Sequence, residues 1–282
     1  MAEAQAYWSG LFGPDLGFWI AYLTNGKHIA FYASVQFTLI AALAGGAFAL
    51  LFGLLGAGAR LSGFWPLRGL GFVYTNMVRG IPDVLFILFF PLAFEQAVEA
   101  LRALTLCSPE TIAAQNGAWP PCAEANWILG TPEYLALASV TLGLVYGAFA
   151  ANVMSGAMRA VAPGQIEAAR AFGFSAADVF WRFRVRQMWA YALPGLSNVW
   201  MLVIKATSLL SLLQIADIVL WANRLGQPNF SRSAGVIHGD WRWAYYLVLF
   251  IFYIGLTYVS EKAFLSLTRR ARRGMAIVGN AP

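Results

Sequence analysis

Residues 29–56 read IAFYASVQFTLIAALAGGAFALLFGLLG, a run of 28 residues without a charged side chain. About 20 apolar residues are enough for a helix to cross a hydrocarbon core that is about 30 Å thick. Four further mainly apolar runs follow at residues 69–92, 134–158, 191–215 and 243–267. Because lipid cannot hydrogen-bond the backbone, such segments cross a bilayer as helices. The sequence therefore predicts an all-α, polytopic membrane protein with about five transmembrane helices.

The composition excludes a soluble enzyme. Charged residues make up 11% of the 282 residues and hydrophobic ones 60%, whereas an ordinary soluble domain has roughly 25% charged residues. The net charge of +6 does not indicate nucleic-acid binding, because many of the basic residues flank apolar runs, where topology signals lie. Membrane lipid is the expected surrounding.

The basic residues also predict an orientation. Five spans place the two termini on opposite sides, and cytoplasmic loops carry an excess of Lys and Arg. With the N-terminus outside, twelve Lys and Arg lie on the inner side and five on the outer side. The inner residues are Arg60, Arg68, Arg159, Arg170, Arg182, Arg184, Arg186, Lys262, Arg269, Arg270, Arg272 and Arg273, and the outer ones are Lys27, Arg102, Arg224, Arg232 and Arg242. Residues 29–268 are thus the predicted transmembrane domain, and 269–282 a basic cytoplasmic tail.

The N-terminal residues 1–28 do not look like a cleavable signal, because they lack a basic start. They contain two acidic residues and several aromatic ones. Aromatic side chains favour the headgroup region of a membrane. An interfacial segment and a plain loop are both compatible with this composition.

The predicted outer loop, residues 94–133, holds both cysteines, Cys107 and Cys122. An oxidising compartment favours a disulfide between them, which would stabilise the loop by roughly 3 kcal/mol on the chain-entropy estimate. Two free thiols are the alternative. A zinc site is not expected, because neither His28 nor His238 stands at a usable ligand spacing.

The longest predicted inner segment is residues 159–190, RAVAPGQIEAARAFGFSAADVFWRFRVRQMWA. A helix-forming run begins at Gly164 and should end at Gly173, since glycine readily takes the positive φ of a helix C-terminus. Ser175 should then begin a second short helix, with Asp178 as a weak capping-box partner. Two helices hinged at a glycine, with small residues on their surface, favour a docking surface. An ordinary amphipathic inner loop is the alternative.

The motif Glu167-Ala168-Ala169 with Gly173, followed by Leu193-Pro194, resembles the EAA loop of membrane subunits of bacterial ABC importers. Further motifs point to the polar amino-acid uptake branch, and nearest to the Q-type subunit of histidine/lysine/arginine/ornithine and opine permeases. These motifs are GQIEAARAFG (164–173), RGIPD (79–83), KATSL (205–209), GLLGAGARLS (53–62), YGA (146–148), YALPGLSN (191–198) and SLLQIADIV (211–219). The resemblance extends from about residue 34 to the basic C-terminus.

This resemblance implies a type I ABC importer permease fold in the bacterial inner membrane, with a periplasmic N-terminus and a cytoplasmic C-terminus. A periplasmic binding protein would deliver a polar, basic amino acid or an opine to two paired permease subunits. Two ATPase subunits would bind the EAA loops at Glu167, Ala168, Ala169 and Gly173. The partner permease would be a homologous M-type chain, although an identical copy is the alternative.

The same resemblance implies that the chain is not an enzyme and carries no cofactor or metal of its own. ATP and Mg would lie on the partner ATPase. The sequence agrees, because it contains no G-x-x-x-x-G-K-[ST] loop to hold a nucleotide phosphate. An ATP-independent secondary carrier or channel is the alternative class. Such carriers commonly contain internal repeats of several spans, and none is evident here.

Several polar residues lie inside the predicted spans, where ionisable groups are costly and suggest a pathway. Arg79 and Asp83 are four residues apart and could pair along one helix face or line the substrate path. Lys205 is too deep for easy snorkelling and is expected to face a subunit interface or a cavity. Thr207 and Ser208 either contribute to the path or bond their own helix.

Asn152 is a departure from the family pattern. It stands where Q-type subunits that resemble this chain tend to carry an acidic residue. An intramembrane carboxylate would be a natural counter-charge for a cationic amino acid, whereas the Asn152 amide offers only dipoles. The departure argues against a strictly cationic substrate and leaves Asp83 as the remaining candidate partner for an ammonium group.

Overall fold

The computed structural model describes residues 16–230 and 238–273, and these residues form helices joined by short connections. Within them, five helical stretches are long and apolar enough to cross a membrane, which confirms the predicted all-α class and the number of spans. In chain order the α-helices are α1 (Leu16–Leu23), α2 (Gly26–Leu61), α3 (Trp65–Met77), α4 (Asp83–Leu106), α5 (Pro109–Ala114), α6 (Thr131–Arg159), α7 (Pro163–Ala171), α8 (Ala176–Asp178), α9 (Arg186–Ala206), α10 (Ile218–Gly226) and α11 (Arg242–Arg272).

The helices divide into two compact units. The first unit contains the described residues up to Ala42 together with Ile87–Ala138 and Thr207–Ile254. The second unit contains Leu43–Phe86, Ser139–Ala206 and the described residues from Gly255 onward.

The predicted second span is misplaced. The chain forms α3, then a 3₁₀ turn at Val78–Gly80, and begins α4 only at Asp83. Ile81 is extended, with φ −99° and ψ 136°, because the ring of the following Pro82 disfavours a helical residue before it. The apolar helix that begins here continues to Leu106. Residues 94–106 are therefore helical, and the connection after α4 is shorter than the predicted loop 94–133.

Small residues bring helices of the second unit close together. A Cβ atom on Gly53 would lie 2.7 Å from the Ala150 Cβ, and one on Gly147 would lie 2.7 Å from the Tyr74 hydroxyl. Such close approach is typical of helix packing in membranes. Lipid tails are as apolar as the helices, so the helices associate through close van der Waals packing, which small residues allow.

The connection after α4 in the first unit is ordered by a disulfide and by one buried carboxylate. Cys107 and Cys122 are joined, with their Cα atoms 5.8 Å apart. Glu99 is 4% exposed and accepts hydrogen bonds from the Trp119 indole and the Trp127 amide. Arg102 donates to the Glu124 and Asn126 carbonyls. These contacts fix the loop back onto α4.

We expect Cys107 and Cys122 to resist alkylation in intact membranes until a reductant is added, because Cys122 is buried and both sulfurs are bonded. A mass-tagged maleimide followed by electrophoresis measures this. Addition of the tag without reductant would contradict the disulfide, and the double variant C107S/C122S provides the unlabelled control.

The core of the first unit forms where α10 meets α2 and α11. Phe31, Ile218, Ala222, Leu225 and Leu249 are buried together. Part of the N-terminal segment also packs here, since Trp19 and Tyr22 on α1 contact the Trp241 ring. Residues 16–23 are thus helical, while residues 1–15 lie outside the described part of the chain.

Asp217 caps the N-terminus of α10 through a buried carboxyl group. One carboxyl oxygen accepts from the Leu220 amide at 2.8 Å, which satisfies one of the unpaired donors of the first helical turn. The other oxygen, Oδ2, is buried and has no hydrogen-bond partner among the described residues. Desolvation by burial raises the pKa of Asp217 to about 6.

The variant Asp217→Asn should be more stable than the parent chain near pH 7.5. Folding raises the pKa of Asp217 from 3.8 to about 6, so the native state loses stability as the pH rises from about 4 to about 6 and remains destabilised at higher pH. Asn caps a helix as well as Asp does and carries no charge. The stability advantage of the variant should shrink as the pH falls from about 6 and should vanish below about pH 3, where Asp217 is protonated in both states. Melting temperatures of parent and variant across this range test the expectation, and equal values at pH 7.5 would contradict it.

Candidate functional site

The coupling loop of the second unit is residues 159–190. Its first helix is α7, which ends at Gly173 as predicted. Helix α7 is closed by Gly173, which has φ +81°. The Gly173 amide donates to the Arg170 carbonyl and the Phe174 amide to the Ala169 carbonyl, at 2.9 and 3.2 Å. This is the hydrogen-bond pattern of a Schellman C-cap. Ser175 then accepts from the Asp178 amide at 3.1 Å and begins the next helical stretch.

The second helix of the loop is not a separate short helix. From Ala176 the chain continues through a π-helical turn at Val179–Val185 into α9. Helix α7 packs against that π-helical turn. The predicted pair of short helices hinged at Gly173 is therefore wrong. The loop has one short helix, α7, which packs against the helical segment that prolongs the fourth span at its N-terminal end.

The exposed surface of α7 differs from the predicted one at one residue. Glu167 and Ala168 are exposed, whereas Ala169 is 3% exposed, because its side chain is on the inner face of α7 together with Ile166. Ala169 therefore holds the helix in place and does not offer a contact to a partner. Phe172 is 84% exposed at the end of α7 and was not among the residues predicted for this surface.

The second candidate region is a cavity of about 430 Å³ within the second unit. Arg79 and Asp83 line it from the break between α3 and α4, and Tyr146 and Phe149 line it from α6. The Tyr146 hydroxyl donates to Asp83 Oδ2 at 2.6 Å. The Arg79 guanidinium lies over the Phe149 ring, 5.2 Å from its centre, within the range of a cation–π contact.

Arg79 and Asp83 line the same cavity but do not form the helical ion pair that was predicted as one alternative. The salt bridges found among the described residues do not include this pair. The physical reason is the backbone, since the 3₁₀ turn and the extended Ile81 remove the register that places residues i and i+4 on one helix face. Each residue instead contacts an aromatic side chain of α6.

Asn152 lies elsewhere in the second unit. Its side-chain oxygen accepts from the Arg60 guanidinium at 2.8 Å, and Asn152 is not among the residues that line the Asp83 cavity. The residue at position 152 thus interacts with Arg60, and Asn152 leaves the charge of the cavity unchanged. The expectation that this departure disfavours a strictly cationic substrate stays a prediction.

The remaining predicted residues are near the junction after α9. Lys205, in the last turn of α9, is exposed. In the first unit, Thr207 is fully buried, and its hydroxyl lies 3.2 Å from the Tyr253 hydroxyl. The Ser208 carbonyl accepts from the Ser211 hydroxyl at 2.9 Å. None of the three lines the Asp83 cavity.

Tyr146 is the functional candidate that sequence reasoning did not single out. It is 3% exposed and supplies the hydrogen bond that orients the Asp83 carboxyl group. The available signal was a tyrosine in the middle of an apolar span, because a buried tyrosine hydroxyl usually has a hydrogen-bond partner. The partner itself depends on how α6 packs and could not be read from the sequence.

Comparison with known proteins identifies relatives over most of the chain. It is 32% identical over 245 residues to the nopaline transport system permease protein of Agrobacterium fabrum, covering 84% of this chain and 89% of the relative. It is 30% identical over 266 residues to the octopine transport system permease protein of Rhizobium radiobacter, covering 94% and 95%. It is 34% identical over 240 residues to the histidine/lysine/arginine/ornithine transport system permease protein of Salmonella typhimurium, covering 84% and 91%.

Solved structures support the fold. A chain of a crystal structure of an amino acid ABC transporter with histidines matches with a TM-score of 0.63 and 19% identity, covering 91% of this chain and 99% of that one. A chain of an inward-facing methionine ABC transporter matches with a TM-score of 0.53 and 13% identity, covering 86% and 95%. The family model of the inner membrane component of binding-protein-dependent transport systems matches residues 49–273. The chain therefore belongs to the family of inner membrane components of binding-protein-dependent transport systems.

Proposed function

We propose that this chain forms part of the translocation pathway of an ABC importer for a polar amino acid of the histidine/lysine/arginine/ornithine or opine class. The substrate class is taken from the relatives, which are named as permeases for nopaline, for octopine and for histidine, lysine, arginine and ornithine. The observation that carries the proposal is α7, which presents Glu167 and Ala168 to solvent and is held at its ends by Pro163 and Gly173. A rigid exposed helix in a loop between spans is suited to transmit movement from a partner protein.

The partners follow from the same role. Two ATPase subunits, which hold ATP and Mg, would each bind one coupling loop. Closure of the ATPase pair would then move α7 and the start of the fourth span together, because they are packed against each other. The second permease would be a homologous M-type chain. Exposed Lys205 would face that subunit. The N-terminus would be periplasmic, where the binding protein docks.

The cavity at Asp83 would be the place where substrate interacts with this chain. Asp83 is the first residue of the second span and offers a carboxyl group to the cavity; ionisable residues in transmembrane segments are rare and by default functional. The Tyr146 hydroxyl holds the carboxyl group in one orientation. The Asp83 carboxyl group would contact the ammonium or guanidinium group of a basic amino acid.

The proposal is tested by affinity purification of the chain from its native membrane. We expect an ATPase and a second permease to co-purify, and reconstituted complex to hydrolyse ATP faster when binding protein and arginine, histidine, ornithine or octopine are added. Recovery of the chain alone, with uptake into vesicles in the absence of ATP, would instead establish a secondary carrier.

A further inference from the structure

The second unit also contains an apolar groove, which shares no lining residue with the Asp83 cavity. Its volume is about 430 Å³. The groove lies mainly between residues 43–50 of α2, 189–203 of α9 and 264–267 of α11. Every described residue in its wall is apolar or aromatic. Its chemistry therefore suits a hydrocarbon and not the polar molecule that an importer of this family carries.

Ring contacts fix the wall of the apolar groove. The Trp200 ring on α9 lies against the backbone of Gly46 on α2, where an added Cβ atom would clash with it. Trp200 also meets Phe264 of α11, with the ring centres 6.5 Å apart. On the open side of the groove, the side chains of Leu43 and Leu267 are 65% and 47% exposed. The three helices thus form a fixed wall that is open to the side of the chain.

The shape of the groove fits one hydrocarbon chain. Its wall on α9 extends from Trp189 to Val203, which is roughly 21 Å at 1.5 Å per residue. The hydrocarbon part of one leaflet is about 15 Å deep. The volume of about 430 Å³ spread over that length gives a mean cross-section of roughly 20 Å², whereas a helix with its side chains is about 10–12 Å across. An acyl chain can lie lengthwise in this space, but a helix of a partner protein cannot enter it.

Two of the helices that form the groove carry an arginine one turn beyond it. Arg186 precedes Trp189 by three residues on α9, and Arg270 follows Leu267 by three residues on α11. Residues three apart are neighbours on a helix surface. Consecutive spans cross a membrane in opposite directions, so the N-terminal end of α9 and the C-terminal end of α11 lie at the same membrane face. The two arginines therefore stand at the same end of the groove.

The charge at this end is available to an anion. Arg186 and Arg270 are exposed, and neither belongs to the salt bridges found among the described residues. Residues 179–200 and 262–273 contain no Asp or Glu. Clusters of basic residues next to a transmembrane helix attract anionic lipid headgroups, and a guanidinium group donates two parallel hydrogen bonds to a phosphate group. The end of the groove thus complements a headgroup with a net negative charge.

We propose that the apolar groove holds one acyl chain of an anionic phospholipid, whose phosphate group binds Arg186 and Arg270. The lipid fills the space between α2, α9 and α11 and joins the ends of the fourth and fifth spans. Arg186 directly follows the π-helical turn against which α7 packs, so the headgroup also braces the base of the coupling loop. This site goes beyond the proposed function, because it binds a component of the membrane and not the transported molecule.

The test measures lipid binding to the protein purified with its partner subunits and stripped of native lipid in detergent. The probes are palmitoyl-oleoyl phosphatidylglycerol and palmitoyl-oleoyl phosphatidylcholine, which have the same acyl chains but differ in net charge. Native mass spectrometry counts the bound molecules as the concentration of each lipid is raised. We expect phosphatidylglycerol to bind at least roughly tenfold more tightly, because each of the two arginines contributes to the attraction of an anionic headgroup.

Two kinds of variant test the two parts of the site. Arg186→Gln and Arg270→Gln should each lower the preference for phosphatidylglycerol by roughly fivefold. Ala47→Phe places a ring in the groove and should weaken the binding of both lipids at least roughly tenfold, because it excludes several methylene groups of the acyl chain. The matched controls are Arg68→Gln and Ala263→Phe, which make the same changes at exposed positions outside the groove and should bind lipid as the parent does.

Three results would each overturn the inference. They are equal binding of the two lipids to the parent protein, an unchanged preference in both arginine variants, and unchanged phosphatidylglycerol binding in Ala47→Phe. The comparison of the two lipids on the parent protein needs no variant, so it decides the matter even if Ala47→Phe does not assemble.

Two further measurements separate the phospholipid from other occupants. Glycerol phosphate, which has the anionic group but no acyl chain, should not displace phosphatidylglycerol at an equal concentration. Displacement by it would assign the arginines to free anions and would overturn the inference. Binding of phosphatidylglycerol to the isolated chain but not to the assembled complex would show that the second permease covers the groove, and it would overturn the inference as well.

Discussion

Replacement of Gly173 by valine should reduce ATP-driven uptake at least roughly tenfold while the protein still inserts and pairs with its partner permease. Gly173 has φ +81°, a conformation that costs an L-residue roughly 1–2 kcal/mol and a β-branched residue more. A Cβ added there would meet nothing within 4 Å, so the effect comes from the backbone and not from a clash. The α7 C-cap would rearrange, and the inner face of α7, with Ile166 and Ala169, would no longer hold the helix against the start of the fourth span.

Gly173→Asn is the matched control, because Asn tolerates the left-handed conformation far better than valine. It should retain most of the uptake. Co-purification of the ATPase with each variant separates docking from transport, and uptake is measured in proteoliposomes with ATP and binding protein. Normal ATPase recovery and normal uptake in Gly173→Val would refute the role of α7 as the coupling helix.

Replacement of Asp83 by asparagine should lower uptake of a basic amino acid at least roughly tenfold and leave assembly with the ATPase intact. The variant keeps the shape of the side chain and an oxygen to accept from Tyr146, but it removes the negative charge. Inside the membrane a lost charge interaction with a cationic substrate is worth more than in water, and 1.4 kcal/mol corresponds to tenfold. Tyr146→Phe should have a smaller effect in the same direction.

The control for charge loss is Glu261→Gln, which neutralises an exposed carboxyl group on α11 outside the cavity. Two quantities should be measured for Asp83→Asn, Tyr146→Phe and Glu261→Gln. They are the rate of uptake and the concentration of liganded binding protein that gives half-maximal ATP hydrolysis. If Asp83→Asn transports as the parent does, Asp83 has only a structural role.

The sequence predicted the parts of the site that depend on local backbone chemistry. The positive φ at Gly173 follows from a glycine after a helix-forming run, and the Ser175 cap follows from its spacing to Asp178. Burial of Ala169 was not predictable in the same way, because the pattern of α7 does not state which of its faces meets the π-helical turn. Phe172 was missed for the same reason, since an exposed aromatic residue and a buried one have the same local signal.

The sequence by itself determined the class of the protein. Three signals indicate this class: apolar runs long enough to cross a bilayer, a surplus of basic residues at one set of span ends, and a motif that ends a helix at a glycine. These signals are local, because each depends on transfer free energies or dihedral preferences of neighbouring residues. The tertiary structure alone decided that Asp83 meets Tyr146, that Asn152 meets Arg60, and that Trp200 meets Phe264. Such pairs join residues far apart in the chain, and their contact depends on helix packing, which no local propensity encodes.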